Sequence, residues 1–237
     1  MKIRNSSLII FCILCATISV RAQGTFQNLG FESATLVPVS TIMVQFAPAF
    51  PSWSGYVGGV QQSSAAYNRV ALDSSAISII DHGWSNPFGG VGGVIDGSFT
   101  AVLQAGVVGS ITNVADTTLS QTAVVPSSAQ SLQFKAYLAG SPLSALEVTL
   151  GGQQLSLTAL GSGANYTLYG AAIPAWAGQT AELDFTVLAG NPHISNNYVF
   201  LDDIQFSNSS IPEPSTLGLS ALGALLLGWR VLRCRRG

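Results

Sequence analysis

Three stretches of this 237-residue chain keep a strict period of two. In SLQFKAYLA (131–139), Leu132, Phe134, Ala136 and Leu138 fall on one face, and Gln133, Lys135 and Tyr137 on the other. In ALEVTL (145–150), Leu146, Val148 and Leu150 alternate with Glu147 and Thr149. In AELDFTVLA (181–189), Leu183, Phe185 and Val187 alternate with Glu182, Asp184 and Thr186. Side chains take turns in this way only along an extended backbone, so these segments read as half-buried strands of antiparallel sheets. Turn residues punctuate them at short intervals: Pro126, Gly140, Pro142, Gly151-Gly152, Gly161, Gly163, Gly178, Gly190 and Pro192. EVTLGGQQLSL (147–157) predicts a tight hairpin turning on Gly151-Gly152. IPAWAGQ (173–179) holds one helical turn at most, and the segments 38–51 and 83–93 read as long loops. With no internal repeat and no dividing linker, residues 23–208 are expected to form one all-β domain, an antiparallel β-sandwich of the jelly-roll kind.

The N-terminus carries Lys2 and Arg4, an apolar run over residues 8–20, and the small pair Val20 and Ala22 around Arg21. That order of charge, apolar run and small residues is a secretory signal peptide, here residues 1–22. Cys12 and Cys15 leave with it, and Cys234 lies in the tail, so the exported domain holds no cysteine. It must stand on burial rather than on disulfides.

Charge is partitioned just as sharply. Between Gln23 and Pro214 only Arg69 and Lys135 are basic, against eleven acidic residues, a net charge near −9. Such a surface excludes nucleic acid as a partner.

The C-terminus sets a second short apolar run, Leu217–Trp229, before Arg230, Arg233, Arg235 and Arg236. As a helix it covers about 20–24 Å against a hydrocarbon core of about 30 Å, a reach that snorkelling arginines extend. The arginines would remain cytoplasmic and leave the domain outside, with residues 217–232 in the membrane. Pro212 and Pro214 keep the preceding segment extended. Ile211-Pro212-Glu213-Pro214, a short apolar helix and an arginine cluster, in that order over 211–236, resemble the PEP-CTERM sorting signal of Gram-negative bacteria, with Ile211 where Val is usual. Similar tails also close proteins grouped under an ice-binding protein C-terminal heading. The resemblance implies an exosortase, a membrane cysteine transpeptidase, as the partner that processes the chain near Pro212, Glu213 and Pro214, with Arg233, Arg235 and Arg236 completing the signal. The product would reach the cell surface or extracellular matrix. A plain membrane anchor is the alternative.

FQNLGFES (26–33) opens the domain and YVFLDDIQFSN (198–208) closes it. This pairing resembles the galactose-binding-like jelly rolls, carbohydrate-binding modules among them. Alternation along the closing strand puts Asp202 on one face with Phe200, Ile204 and Phe206. If that face is the core, the carboxylate must be paired or bound to a cation. One reading is a structural calcium held by Asp202 and Glu32, with Asp203 as an alternative ligand and backbone carbonyls of the opening segment completing the set. The related modules carry such an ion at a comparable place. The other reading is an aspartate capped by backbone N–H groups.

Catalytic signals fail one by one. The glycines of DHGWSNPFGGVGGVIDGS (81–98) lack the Lys-Ser/Thr and the following helix of a phosphate cradle. Asp81 and His82 could act as an acid–base pair or simply end a strand. Two histidines, His82 and His193, cannot make a histidine metal triad, and no Gly-x-Ser-x-Gly elbow is present. No carboxylate pair stands out for glycoside hydrolysis. Asn165-Tyr-Thr matches a glycosylation acceptor without consequence in a bacterium. For binding, Trp84, Phe88 and Tyr56 are the candidate glycan contacts, being in or beside the long loops, whereas Trp53 reads as core. The expectation is therefore a non-catalytic, exported envelope or matrix protein. The alternative is a carbohydrate-binding module for an exopolysaccharide or another glycan, and a hydrolase is a distant third.

Overall fold

In the computed structural model of this chain, residues 25–70, 74–85, 92–190 and 197–211 are described. The expected signal peptide, Phe88, His193, the apolar segment 217–232 and the sorting-signal residues Pro212, Glu213, Pro214, Arg233, Arg235 and Arg236 lie outside them. Among the described residues no helix is long and apolar enough to cross a membrane.

The alternating faces predicted from sequence are the faces that the fold buries. Leu132, Phe134, Leu150, Leu183, Phe185 and Val187 have no exposed surface, while Glu147, Thr149, Asp184 and Thr186 remain partly in water. The chain runs through β1 (Met43–Gln45), a helical turn α1 (Phe46–Ala49), β2 (Ser54–Val57), β3 (Val60–Gln61), β4 (Ser64–Tyr67), β5 (Ala76–Ile80), β6 (Thr100–Val108), β7 (Ser110–Ala115) and β8 (Thr117–Val124). It continues through β9 (Ser131–Tyr137), β10 (Leu146–Leu150), β11 (Gln153–Gln154), β12 (Thr158–Ser162), β13 (Thr167–Ala172), β14 (Thr180–Val187) and β15 (Asn197–Ser207). These strands form two sheets packed as a sandwich. The larger has the order β1-β4-β5-β6-β15-β9-β13-β12 with β7 beside β6, and the smaller β11-β10-β14-β8-β2-β3. Pairing is antiparallel except between β4 and β5. The predicted hairpin is present, with Gly151 and Gly152 at φ 58° and 75° and Leu150 facing Gln153. A single 3₁₀ turn, Pro174–Trp176, is all the helix that the segment 173–179 forms.

An unbroken series of rings ties the sheets together. Phe46 stacks on Phe50, Phe50 meets Phe31 edge-on, Phe31 lies 5.8 Å from Trp53, and Trp53 leads through Phe185 and Phe134 to Tyr169. The opening motif earns its shape here. Asn28 and Phe31 both take positive φ, at 51° and 59°, which turns the segment sharply enough to drive the Phe31 ring into the core. Asn28 tolerates that conformation and uses its side-chain oxygen to accept the Ser33 N–H, while its carbonyl accepts the Trp53 indole N–H at 3.0 Å.

Two sequence expectations change. The segment 38–51, read as a loop, contains β1 and α1, which together plug one end of the sandwich with Val44, Phe46, Ala49 and Phe50. Three-residue strands are too short to display a period. The face assigned to Asp202 is also corrected. A bulge between Asp202 and Gln205, with Asp203 at φ 42°, reverses the phase of β15. Val199, Leu201, Ile204 and Phe206 therefore face the sandwich core, while Phe200 belongs to a second apolar cluster with Val70, Ile80 and Val102 on the outer side of the larger sheet. Trp84 and Tyr137 cover that cluster, so β15 is buried on both faces.

Truncating Phe134 would leave a cavity at the centre of the ring series, because its ring touches both Phe185 and Tyr169. Phe134→Ala is expected to cost about 3–5 kcal/mol, read as a drop in urea-unfolding free energy at unchanged m-value.

Candidate functional site

Asp202 lies at the bulge of the last strand with 0 % of its surface exposed. Its Oδ2 accepts the Thr100 hydroxyl at 2.6 Å and the Asp96 backbone N–H at 3.1 Å, and its Oδ1 accepts the Asp203 N–H at 2.7 Å. Thr100 Oγ1 in turn accepts the Ile95 N–H at 2.9 Å. Burial raises the Asp202 carboxyl to about 7, and the three donors oppose that rise without cancelling it.

The chain supplies a cation of its own. Lys135 faces Asp202 across the β9–β15 pairing and sends its ammonium to Asp96 Oδ2 at 2.5 Å and Asp203 Oδ2 at 3.1 Å. The ammonium also lies 5.1 Å from the centre of the Tyr166 ring. Burial lowers the Lys135 pKa, but its bonds to the two carboxylates reverse the sign and hold it above the ordinary lysine value. Glu32 approaches the same loop from the opening segment and spends both oxygens on backbone donors, Ser98 N–H at 2.8 and 2.9 Å and Phe99 N–H at 3.0 Å. Gly97, at φ 58°, makes room for it, since a Cβ there would overlap the Glu32 carboxylate.

Calcium does not fit this donor set as it stands. Glu32, Asp202 and Asp203 all border the 95–100 segment, yet each carboxylate already meets N–H, O–H or ammonium donors, and among the described residues no three His, Cys, Asp or Glu side chains are placed to hold a metal ion. The arrangement corresponds to the capped-aspartate reading, extended by a lysine whose approach only strand pairing could reveal.

A second polar region covers the outward face of the smaller sheet. Pairing aligns Glu147, Thr186, Thr118 and Tyr56 in one row across β10, β14, β8 and β2, and Thr149, Asp184, Ser120 and Ser54 in the next. All of these but Ser54 line a groove of about 620 Å³ that also reaches Asp116 and Glu182. Its hydroxyls and carboxylates bond to one another: Thr118 with Thr186 at 2.9 Å, Ser120 to Glu182 at 2.7 Å, and Thr149 to Asp184 at 3.1 Å. The groove is acidic and hydroxyl-rich, with one ring, Tyr56, at its side.

The aromatic candidates are thereby separated. Tyr56 lines the groove, whereas Trp84 packs edge-on against Phe200, 5.4 Å away, over the larger sheet. Trp53 is core, with 5 % of its surface exposed. Asp81 and His82 do not form an acid–base pair. The Asp81 carboxylate accepts Tyr67 O–H, Asn68 Nδ2–H and Gly83 N–H at 2.6–2.7 Å, and His82 Nε2 instead meets the Gly97 carbonyl at 3.0 Å. Burial pushes Asp81 up, but these bonds outweigh it and set its pKa below the usual carboxylate value.

Residues 210–236 match the PEP-CTERM protein-sorting motif. No curated protein matches the chain. Among solved structures, the chain is similar to TmCBM61, solved in complex with β-1,4-galactotriose, at 12 % identity over 79 % of this chain and 97 % of that one, with a TM-score of 0.42. It is similar to the K2 cleaved adhesin domain of Lys-gingipain at 17 % identity over 75 % and 96 %, also with a TM-score of 0.42. The secreted serine protease VesC from Vibrio cholerae follows at 11 % identity over 75 % and 43 %, with a TM-score of 0.28. Likenesses this distant identify neither a ligand nor an activity.

The raised pKa of Asp202 has a definite sign. The folded state holds a proton that the unfolded chain releases near pH 3.8, so this group's contribution to stability falls as pH rises from about 4 to about 7. Urea unfolding at pH 5 and pH 8 is expected to show wild type losing on the order of 2 kcal/mol more than Asp202→Asn across that interval.

Proposed function

Taking as its premise a chain that closes in a PEP-CTERM sorting motif, we propose an exported, non-catalytic protein that an exosortase releases from a transient membrane anchor into the cell envelope or extracellular matrix. The observation that carries this reading is the adjacency of address and cargo: the last strand of the sandwich ends at Ser207, and the matched motif spans 210–236. A folded domain with no cysteine, strongly acidic and surfaced with Ser, Thr, Asn and Gln, suits an extracellular, hydrated setting. The non-catalytic reading rests on what the polar clusters already do. Asp81, Asp202, Glu32 and Lys135 are each engaged in holding loops and strands together.

Intact mass of the protein recovered from the native host, with and without the exosortase, tests the sorting reading. The expected product lacks everything beyond about Pro214 only when the enzyme is present. An uncut tail in both strains would leave a membrane-anchored sandwich instead.

Glycan binding is the second reading, favoured by the groove on the smaller sheet, where rows of hydroxyls lie beside Tyr56. Its carboxylates, Asp116, Glu147, Glu182 and Asp184, would repel anionic polymers, so a neutral polysaccharide is the expected ligand. Affinity electrophoresis in gels containing neutral polysaccharides should retard the wild-type domain, and Tyr56→Ala should weaken that retardation about tenfold or more. Equal mobility in all gels would remove this reading.

A further inference from the structure

Ile211 is at once the residue that opens the Ile-Pro-Glu-Pro motif and, among the described residues, the last apolar one that is buried. Only 8 % of its surface is exposed. After β15 the chain folds back over the outer face of the larger sheet, fixed by Gln130 N–H to the Ser207 carbonyl at 2.8 Å and by the Ser131 hydroxyl to the Ser209 carbonyl at 2.7 Å. Ile211 then seats on Gly170 of β13, beside Leu160 of β12. A Cβ on Gly170 would overlap the Cδ1 atoms of both Ile211 and Leu160, so the glycine is what opens the seat.

The seat shortens the free chain. With Ile211 docked, only residues 212–216 separate the folded domain from Leu217, where the apolar run begins. Five extended residues reach at most about 17 Å. A transpeptidase must hold its peptide extended on both sides of the cut, and a docked Ile211 withholds the N-terminal side of Pro-Glu-Pro inside the domain.

We propose that Ile211 and Gly170 form a latch that positions the sorting motif, and that the segment 208–211 must lift from the sheet before the exosortase can act. The domain's own packing thus sets how fast the protein leaves its anchor. Ile211 and Gly170 are positioning residues, because neither has to touch the enzyme's reacting atoms. This inference rests on the sorting reading above.

Gly170→Ala tests it without altering the motif. The glycine does not have positive φ, and the atoms that a methyl would displace are the flexible ends of Ile211 and Leu160, so the sheet itself is preserved while the seat is filled. Pulse–chase labelling in the native host should show anchored precursor converting to the released form about tenfold faster than wild type, the shift expected when one buried aliphatic side chain loses much of its burial. Six Gly/Ser residues followed by a second Ile, inserted between Ile211 and Pro212 so that Ile-Pro-Glu-Pro is rebuilt beyond the seat, should give a similar gain with the latch intact, and adding Gly170→Ala to that insertion should give no more. Val148→Ala, a core change distant from the seat, controls for lost stability and should leave the rate unchanged.

In the purified full chain, proteinase K should cut within 208–214 faster in Gly170→Ala than in wild type. Conversion of Gly170→Ala at or below the wild-type rate, with cutting still dependent on exosortase, would overturn the latch alone. A wild-type chain left uncut in the presence of exosortase would overturn the sorting reading, and the latch's role with it.

Discussion

A carboxyl group without access to water governs how this sandwich closes. Asp202 sits where the last strand enters the middle of the larger sheet, and it cannot be solvated there. Its acceptors are satisfied by bringing three pieces of chain together: the bulge of β15, the first residue of β6, and the loop leading into β6. The bulge that allows this puts Asp203 in the left-handed region and aims its carboxylate at Lys135, which also binds Asp96. Glu32 then closes the same loop from the opening segment. One buried acid, with Lys135 and Glu32 beside it, therefore links the two ends of the domain through hydrogen bonds.

The two sheets are used differently as a result. The larger carries apolar cover on its outer side: Trp84, Tyr137 and Phe200 near the centre, and Ile211 toward the β12 edge. The smaller leaves its outward face to water and lines it with hydroxyls and carboxylates in register. The covered face bears the start of the sorting motif. The start of the sorting motif and the polar groove thus occupy different sheets.

Much of this was legible before any coordinates. The period-two segments gave the buried face of β9, β10 and β14 residue by residue, because an extended strand leaves a side chain no choice but to alternate. The Gly-Gly hairpin was legible for the same local reason, and so was the sorting tail, whose order of proline, apolar run and arginine lies wholly in the primary structure. Reading failed where alternation is interrupted or too short. The bulge in β15 moved Phe200 and Asp202 to the opposite face from Ile204 and Phe206, and nothing in YVFLDDIQF marks a bulge. Trp84 looked like an exposed loop aromatic because the apolar cluster beneath it comes from three separated strands and Val70 in the segment after β4.

By itself, then, the sequence determined the class of fold, the sorting motif and the identity of the outward-facing residues, since each depends on neighbours along the chain. The partners of Asp202, the arrival of Lys135, the meeting of Tyr56 with Thr118 and Thr186, and the seat of Ile211 on Gly170 were decided only by tertiary structure. They join positions tens of residues apart through strand register, and a one-residue slip in that register would put each of those side chains on the opposite face.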